Sequence, residues 1–306
     1  MDKELKRPSG SWVALITPFT KDDKIDLDGF ARLVDFHERN NTDGIVFMGS
    51  TGEAPSLTLD EKKEIIRSMA SYCKGKIPAM FGVTCSTTRE TVNLAQFAEE
   101  QEAEGILMVV PPYIIPPQKD IYDFFATVAK SISISVTVYN NPGRVSANIE
   151  PSTIKLLADI PNIVADKEAV PANKQIIGVM EDVGDKINVL CCDSPKFGLI
   201  IPLLAMGGHG TANVTGNILP KEFAEMSKPW NSWEDAQRCR ELFFKYKPFM
   251  DLSYSAVNPV SIKAAVGLMG LPAGKPRLPL QPLSGAILEN AQRLIAHYNL
   301  REQYGL

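Results

Sequence analysis

The sequence predicts a (β/α)₈ TIM barrel followed by a C-terminal helical domain. Short apolar, β-branched runs alternate with amphipathic stretches eight times in about 230 residues, the size of such a barrel. The runs are apolar throughout, as expected of parallel strands covered by helices on both faces. No G-x-G-x-x-G follows the first run, which disfavours the alternative, a doubly wound dinucleotide fold.

Taken in order, Ser11–Phe19 (S-W-V-A-L-I-T-P-F) reads as a buried strand and Asp26–Asn40 as its amphipathic helix. Gly44–Gly49 and Thr58–Cys73 form the second pair, Ile77–Val83 and Thr87–Ala103 the third, and Gly105–Val110 and Gln118–Lys130 the fourth. The fifth strand is V-T-V-Y-N (Val136–Asn140), and a short helix follows at Pro151–Ala158. The sixth strand lies in N-I-V-A-D-K-E-A-V (Asn162–Val170), with a helix from Pro171. Lys186–Asp193 and Pro195–Met206, then Gly210–Val214 and Pro220–Ser227, complete the count. From Ser232 the strands stop. S-W-E-D starts a helix with a serine N-cap, and Asn258-Pro259 and Pro282-Leu283-Ser284 precede two more amphipathic runs. The expected division is a barrel over residues 1–230 and a helical domain over residues 231–306.

A formal net charge of −4 gives no reason to expect nucleic acid or an anionic membrane as partner. No apolar run reaches membrane-spanning length, and Met1–Lys6 does not read as a signal peptide. Five cysteines form no C-x-x-C pair and are odd in number, which fits reduced thiols in a cytoplasmic protein. Three widely separated histidines, His37, His209 and His297, make a histidine-built metal site improbable.

Chemistry in such a barrel sits at the carboxyl ends of the strands. The fifth and sixth strands, as parallel neighbours, put Tyr139 beside Lys167 there. A lysine in an apolar parallel strand is costly unless it is paired or works, because its ammonium loses water. Desolvation is also what turns a lysine amine into a nucleophile, and a nearby phenol can shuttle its protons. Lys167 is therefore the candidate imine-forming residue, against the plainer alternative of a strand-end lysine reaching for solvent. G-S-T-G-E (Gly49–Glu53) offers two hydroxyls and the backbone N–H groups of a glycine turn, which together can cradle a carboxylate. A plain glycine turn reads equally well from spacing alone. Arg144, in Y-N-N-P-G-R, can pair bidentately with a second carboxylate or can be an ordinary surface arginine. Glu53 either caps a helix or buttresses the turn.

G-S-T-G-E, Y-N-N-P-G-R, V-A-D-K-E-A, N-P-V-S-I-K-A-A and R-L-P-L-x-P together resemble the dihydrodipicolinate synthase / N-acetylneuraminate lyase family over nearly the whole chain. The resemblance implies a tetrameric barrel enzyme that forms a Schiff base between lysine and pyruvate, or a pyruvate-yielding 2-oxo acid, without metal or organic cofactor. It implies Lys167 as imine lysine, Tyr139 as general acid/base, and Ser50 and Thr51, beside Gly49, as holders of the pyruvate carboxylate. A carbonyl near Ala212 in G-T-A-N-V would line the same pocket, and Arg144 would take the carboxylate of an aldehyde co-substrate. The implied activity is condensation of pyruvate with aspartate semialdehyde. The alternatives are a 2-oxo-acid aldolase or dehydratase for a sugar acid or hydroxyproline-derived substrate, and a non-catalytic 2-oxo-acid-binding member. Departures matter. Ser50 stands where synthases commonly carry threonine. Ile114 follows Pro112-Tyr113 where synthases carry a second tyrosine that reaches across the dimer, and Asp166 replaces a usually apolar residue.

Overall fold

A computed structural model describes residues 5–306. Eight parallel strands close into a barrel in chain order: β1 (Gly10–Ala14), β2 (Gly44–Phe47), β3 (Ala79–Gly82), β4 (Gly105–Val109), β5 (Ser135–Asn140), β6 (Ile163–Glu168), β7 (Asn188–Cys191) and β8 (Gly210–Asn213). Closure joins Gly10 to Gly210 and Trp12 to Ala212. Gly210 has φ +141°, and a Cβ there would lie 2.1 Å from the Gly10 carbonyl oxygen, so the seam admits only glycine.

The covering helices are α1 (Leu27–Arg39), α2 (Leu59–Cys73), α3 (Thr88–Glu100) and α4 (Gln118–Ala129), the one-turn α5 (Pro142–Val145), α6 (Pro151–Leu157), α7 (Asn173–Val183), α8 (Ile200–Ala205) and α9 (Pro220–Met226). Apolar residues at helical spacing seat them on the strands: Phe30, Leu33 and Val34 of α1, and Ile65, Ile66 and Met69 of α2, are all buried. Beneath them Phe47 and Phe81 stack at 5.1 Å, with Phe30 edge-on to Phe47 at 5.4 Å. Four further helices follow: α10 (Trp233–Ser253), α11 (Val260–Leu268), α12 (Gly285–His297) and α13 (Leu300–Gln303). Ser232 caps α10 in a capping box with Asp235, as S-W-E-D suggested. The α10 helix packs on α8 and α9, and the chain end returns to the barrel, where Gln303 and Tyr304 both bond Glu222 of α9. No helix among the described residues is long and apolar enough to cross a membrane.

Several predicted elements shrink at their ends, the third and seventh strands to Ala79–Gly82 and Asn188–Cys191. The first strand ends at Ala14 rather than Phe19, because the Ile16 amide donates to the Asn217 side chain instead of a ladder partner; Phe19 makes an antiparallel bridge to Ile25. The helix expected over Pro195–Met206 begins only at Ile200, after a turn containing Gly198 at φ +64°.

Candidate active site

The register of β5 and β6 pairs Tyr139 with Lys167 at the carboxyl end of the barrel. Both are buried, and the Lys167 Nζ lies 4.3 Å from the centre of the Tyr139 ring. No carboxylate among the described residues forms an ion pair with Lys167. Asn141 Nδ2 donates to the Tyr139 hydroxyl oxygen at 2.6 Å, which occupies a lone pair and leaves the phenol proton for the pocket.

Lys167 and Tyr139 open onto a cavity of about 140 Å³, which Ser50, Thr51, Arg144 and Ala212 also line. That is well under the roughly 300–1,000 Å³ of pockets that take drug-sized ligands, and it suits a small acid. A neighbouring cavity of about 620 Å³ shares Ser50, Tyr139, Arg144 and Asn258 with it and extends over the β2–α2 turn. Gly49 lines this larger space. The predicted residues thus fall around one connected opening at the end of the barrel.

The turn after β2 is shaped differently from a simple glycine loop. Its left-handed residues are Met48 (φ 53°) and Glu53 (φ 54°). A Cβ on Gly49 would meet nothing closer than 3.9 Å, whereas one on Gly52 would lie 2.9 Å from the Met48 nitrogen, so Gly52 is where the chain demands glycine. The backbone amides of Ser50 and Thr51 donate to no protein group among the described residues, leaving two N–H groups for an anion. Glu53 makes no helix-cap bond. It buttresses the turn instead, through Lys263 Nζ at 2.5 Å and the Arg277 amide at 2.8 Å.

The structure adds residues that sequence reasoning missed. Tyr254 of the tail lines the small cavity and donates its hydroxyl to Asp193 Oδ1 at 2.5 Å, while Asp193 also accepts from the Val214 and Thr215 amides. Burial and the Asp193 charge push the Tyr254 phenol well above its ordinary range, so it stays neutral. Cys192 lines the same cavity, but burial pushes its thiol up to about 12, which keeps it protonated and a poor nucleophile. Asn258, whose N-P-V-S-I-K motif was visible, lines both cavities. Nothing in one sequence marked these tail residues as facing the barrel. Among the described residues no group of three or more metal-ligating side chains gathers.

Asp166 sits one residue before Lys167, and strand alternation turns it outward, away from the cavity. It is fully buried and both carboxylate oxygens lack a partner. Burial, reinforced by the charge of Glu168, holds its pKa well above the usual carboxylate range. Glu168 on the same face is satisfied by Asn140, Gln175 and the Ala169 and Val170 amides, yet burial still raises it to about 7. Both groups keep protons in the folded chain that the unfolded chain has lost, so each lowers stability as pH rises from the unfolded carboxylate value through the folded one. Asp166→Val removes the unpaired group and suits a strand. It should stabilise the fold by roughly 1–3 kcal/mol near neutral pH. It should also flatten the fall in Tm between pH 5 and 8. Calorimetry at those two pH values checks both, and an unchanged or lower Tm at pH 8 would contradict this account of Asp166.

The dihydrodipicolinate synthetase family model matches residues 7–298. The chain is 38% identical over 285 residues to the 4-hydroxy-tetrahydrodipicolinate synthase of Methanocaldococcus jannaschii, covering 92% of this chain and 96% of that one. The crystal structure of dihydrodipicolinate synthase from Aquifex aeolicus superposes with a TM-score of 0.90 at 33% identity, over 96% of this chain and 99% of its own. A pyruvate complex of the Acinetobacter baumannii dihydrodipicolinate synthase superposes with a TM-score of 0.87 at 29% identity, over 95% of this chain and 99% of its own. Strand order, the Tyr139–Lys167 pair and these likenesses agree: the chain belongs to the dihydrodipicolinate synthetase family.

Proposed function

We propose that the protein is a Schiff-base lyase of this family, a 4-hydroxy-tetrahydrodipicolinate synthase that condenses pyruvate with aspartate semialdehyde. The observation that supports it most is a buried lysine without a carboxylate partner, beside a phenol, in a cavity whose turn offers two free amides. Pyruvate's carboxylate fits the Ser50–Thr51 amides and hydroxyls, which puts its keto carbon toward Lys167. The neutral amine forms a C–N bond to that carbon, and the carbonyl oxygen leaves as water with protons moved by Tyr139. The resulting iminium draws electrons from the methyl carbon, which loses a proton to give an enamine. The enamine carbon then bonds to the aldehyde carbon of the second substrate, whose C=O π electrons pass to the oxygen as it takes a proton, and the iminium re-forms. Attack by the product's own amine on the imine frees Lys167.

Arg144 is exposed at the mouth and lines both cavities, where the semialdehyde's carboxylate would enter. Losing a charge-assisted pair of this kind costs about 1.5–3 kcal/mol, or roughly ten- to a hundredfold. Arg144→Ala should raise the semialdehyde KM by that factor and leave pyruvate imine formation within about twofold. A steady-state condensation assay decides it. Unchanged semialdehyde use, or cleavage of a 4-hydroxy-2-oxo acid in place of condensation, would shift the reading to an aldolase of the same family.

A cytoplasmic homotetramer, and the division into a barrel over residues 1–230 and a helical domain over residues 231–306, belong to the same proposal. The loop after β4 supports association: Tyr113, Ile114 and Ile115 are exposed side by side, Tyr113 at 97%. Ile114 lies outside both cavities of its own chain, so its influence on the site requires a neighbouring copy. Sedimentation should give about four times the chain mass, and a monomer at micromolar concentration would refute the tetramer.

A further inference from the structure

The turn that cradles the carboxylate is held from outside the barrel. Glu53 ends it in a left-handed conformation that costs a non-glycine residue energy unless its surroundings impose it. Those surroundings are the tail. Glu53 Oε1 meets Lys263 Nζ of α11 at 2.5 Å, and both side chains are 1% exposed. Its other oxygen accepts from the Arg277 amide at 2.8 Å. The Lys263 ammonium and the Arg277 guanidinium both lie against the Phe19 ring, at 4.0 and 4.4 Å from its centre. Arg277 also binds Glu61 at the start of α2, so both ends of the β2–α2 connection are tied to one tail segment.

A second contact reaches the turn itself. Asn258, two residues before α11, donates Nδ2 to Thr51 Oγ1 at 2.9 Å. A hydroxyl has one proton and two lone pairs, so with a lone pair occupied by the amide, the Thr51 O–H is left to donate into the cavity. The Asn258 backbone oxygen lies 3.5 Å from Arg144 Nη2, and its buried Oδ1 has no partner among the described residues. Asn258 therefore touches both groups assigned to carboxylates.

We infer that Asn258 and Lys263 are positioning residues for the 2-oxo-acid carboxylate: the Lys263–Glu53 pair sets the turn, and the Asn258 amide turns the Thr51 hydroxyl proton toward the ligand. This rests on the Schiff-base reading above. The barrel supplies the reacting groups, and the tail supplies the geometry in which they meet the acid.

The test compares wild type with Asn258→Ala, Asn258→Asp, Lys263→Met and Lys263→Arg, reading pyruvate KM and kcat, borohydride trapping of pyruvate, and Tm. Asn258→Ala should raise pyruvate KM roughly tenfold with kcat at saturating pyruvate within about threefold. Asn258→Asp keeps the shape but replaces the donor by an acceptor that captures the Thr51 proton. It should raise KM further than alanine does, a difference that loss of packing alone would not produce. Lys263→Arg should retain a KM closer to wild type than Lys263→Met. A pyruvate KM within twofold of wild type in both Asn258 variants overturns the inference, whether or not Lys263→Met still folds, and leaves the ion pair a structural strut. Wild-type protein that traps no pyruvate overturns the Schiff-base reading and this inference with it; wild-type trapping with unmoved variants overturns the inference alone.

Discussion

Replacing Lys167 by alanine is expected to lower condensation on the order of 10⁴- to 10⁶-fold, the range seen when the nucleophile of a covalent mechanism is removed. Two buried candidates are ruled out as substitutes. The Cys192 thiol is held protonated by burial, and the Lys263 amine is bound to Glu53 outside the cavity. The fold should survive, because Lys167 has no carboxylate partner among the described residues and its loss leaves no buried charge unpaired. A variant with native Tm and no turnover is the expected pair of results. Retained turnover within tenfold would remove Lys167 from the chemistry.

Tyr139→Phe is expected to lower kcat by roughly 10²- to 10⁴-fold, the contribution of a positioned general acid/base. The phenylalanine ring keeps the face that Lys167 Nζ approaches at 4.3 Å, so the lysine should stay in place. What disappears is the proton that Asn141 leaves free by bonding the phenol oxygen. The variant should still form a trappable imine with pyruvate, slowly, while product formation fails. Equal loss of trapping and turnover would make Tyr139 a packing residue, and near-normal turnover would exclude it from proton transfer.

How much of this was legible in the chain depends on how local the signal is. Alternation of apolar runs and amphipathic stretches set out the barrel, and the neighbouring strands that carry Tyr139 and Lys167 could be paired from that alone. Boundaries failed where local chemistry overrode hydrophobicity. The Asn217 side chain took the Ile16 amide and ended the first strand inside the apolar run Trp12–Ile16, and Gly198 delayed a helix whose composition started it earlier. The turn of Gly49–Glu53 was visible, yet which glycine it needed was not: the close approach of Met48 to Gly52 is a fact of folded geometry. Asn258, Tyr254 and Lys263 escaped because they act on residues far away in sequence. Asn258 reaches Thr51 across 207 positions, and no period or spacing carries such a contact. Glu53 was read as cap or buttress, and only the buried lysine opposite decides between the two. Asp166 was legible as an anomaly; its unpaired burial shows that the cost falls on stability and lies outside the cavity.

The most direct test of the central claim is borohydride reduction of the wild-type protein with pyruvate, followed by peptide mass spectrometry. The account predicts one reduced pyruvyl adduct, on the peptide bearing Lys167, formed without metal or added cofactor and absent in Lys167→Ala. An unmodified Lys167, or an adduct that persists when Lys167 is replaced, would contradict it.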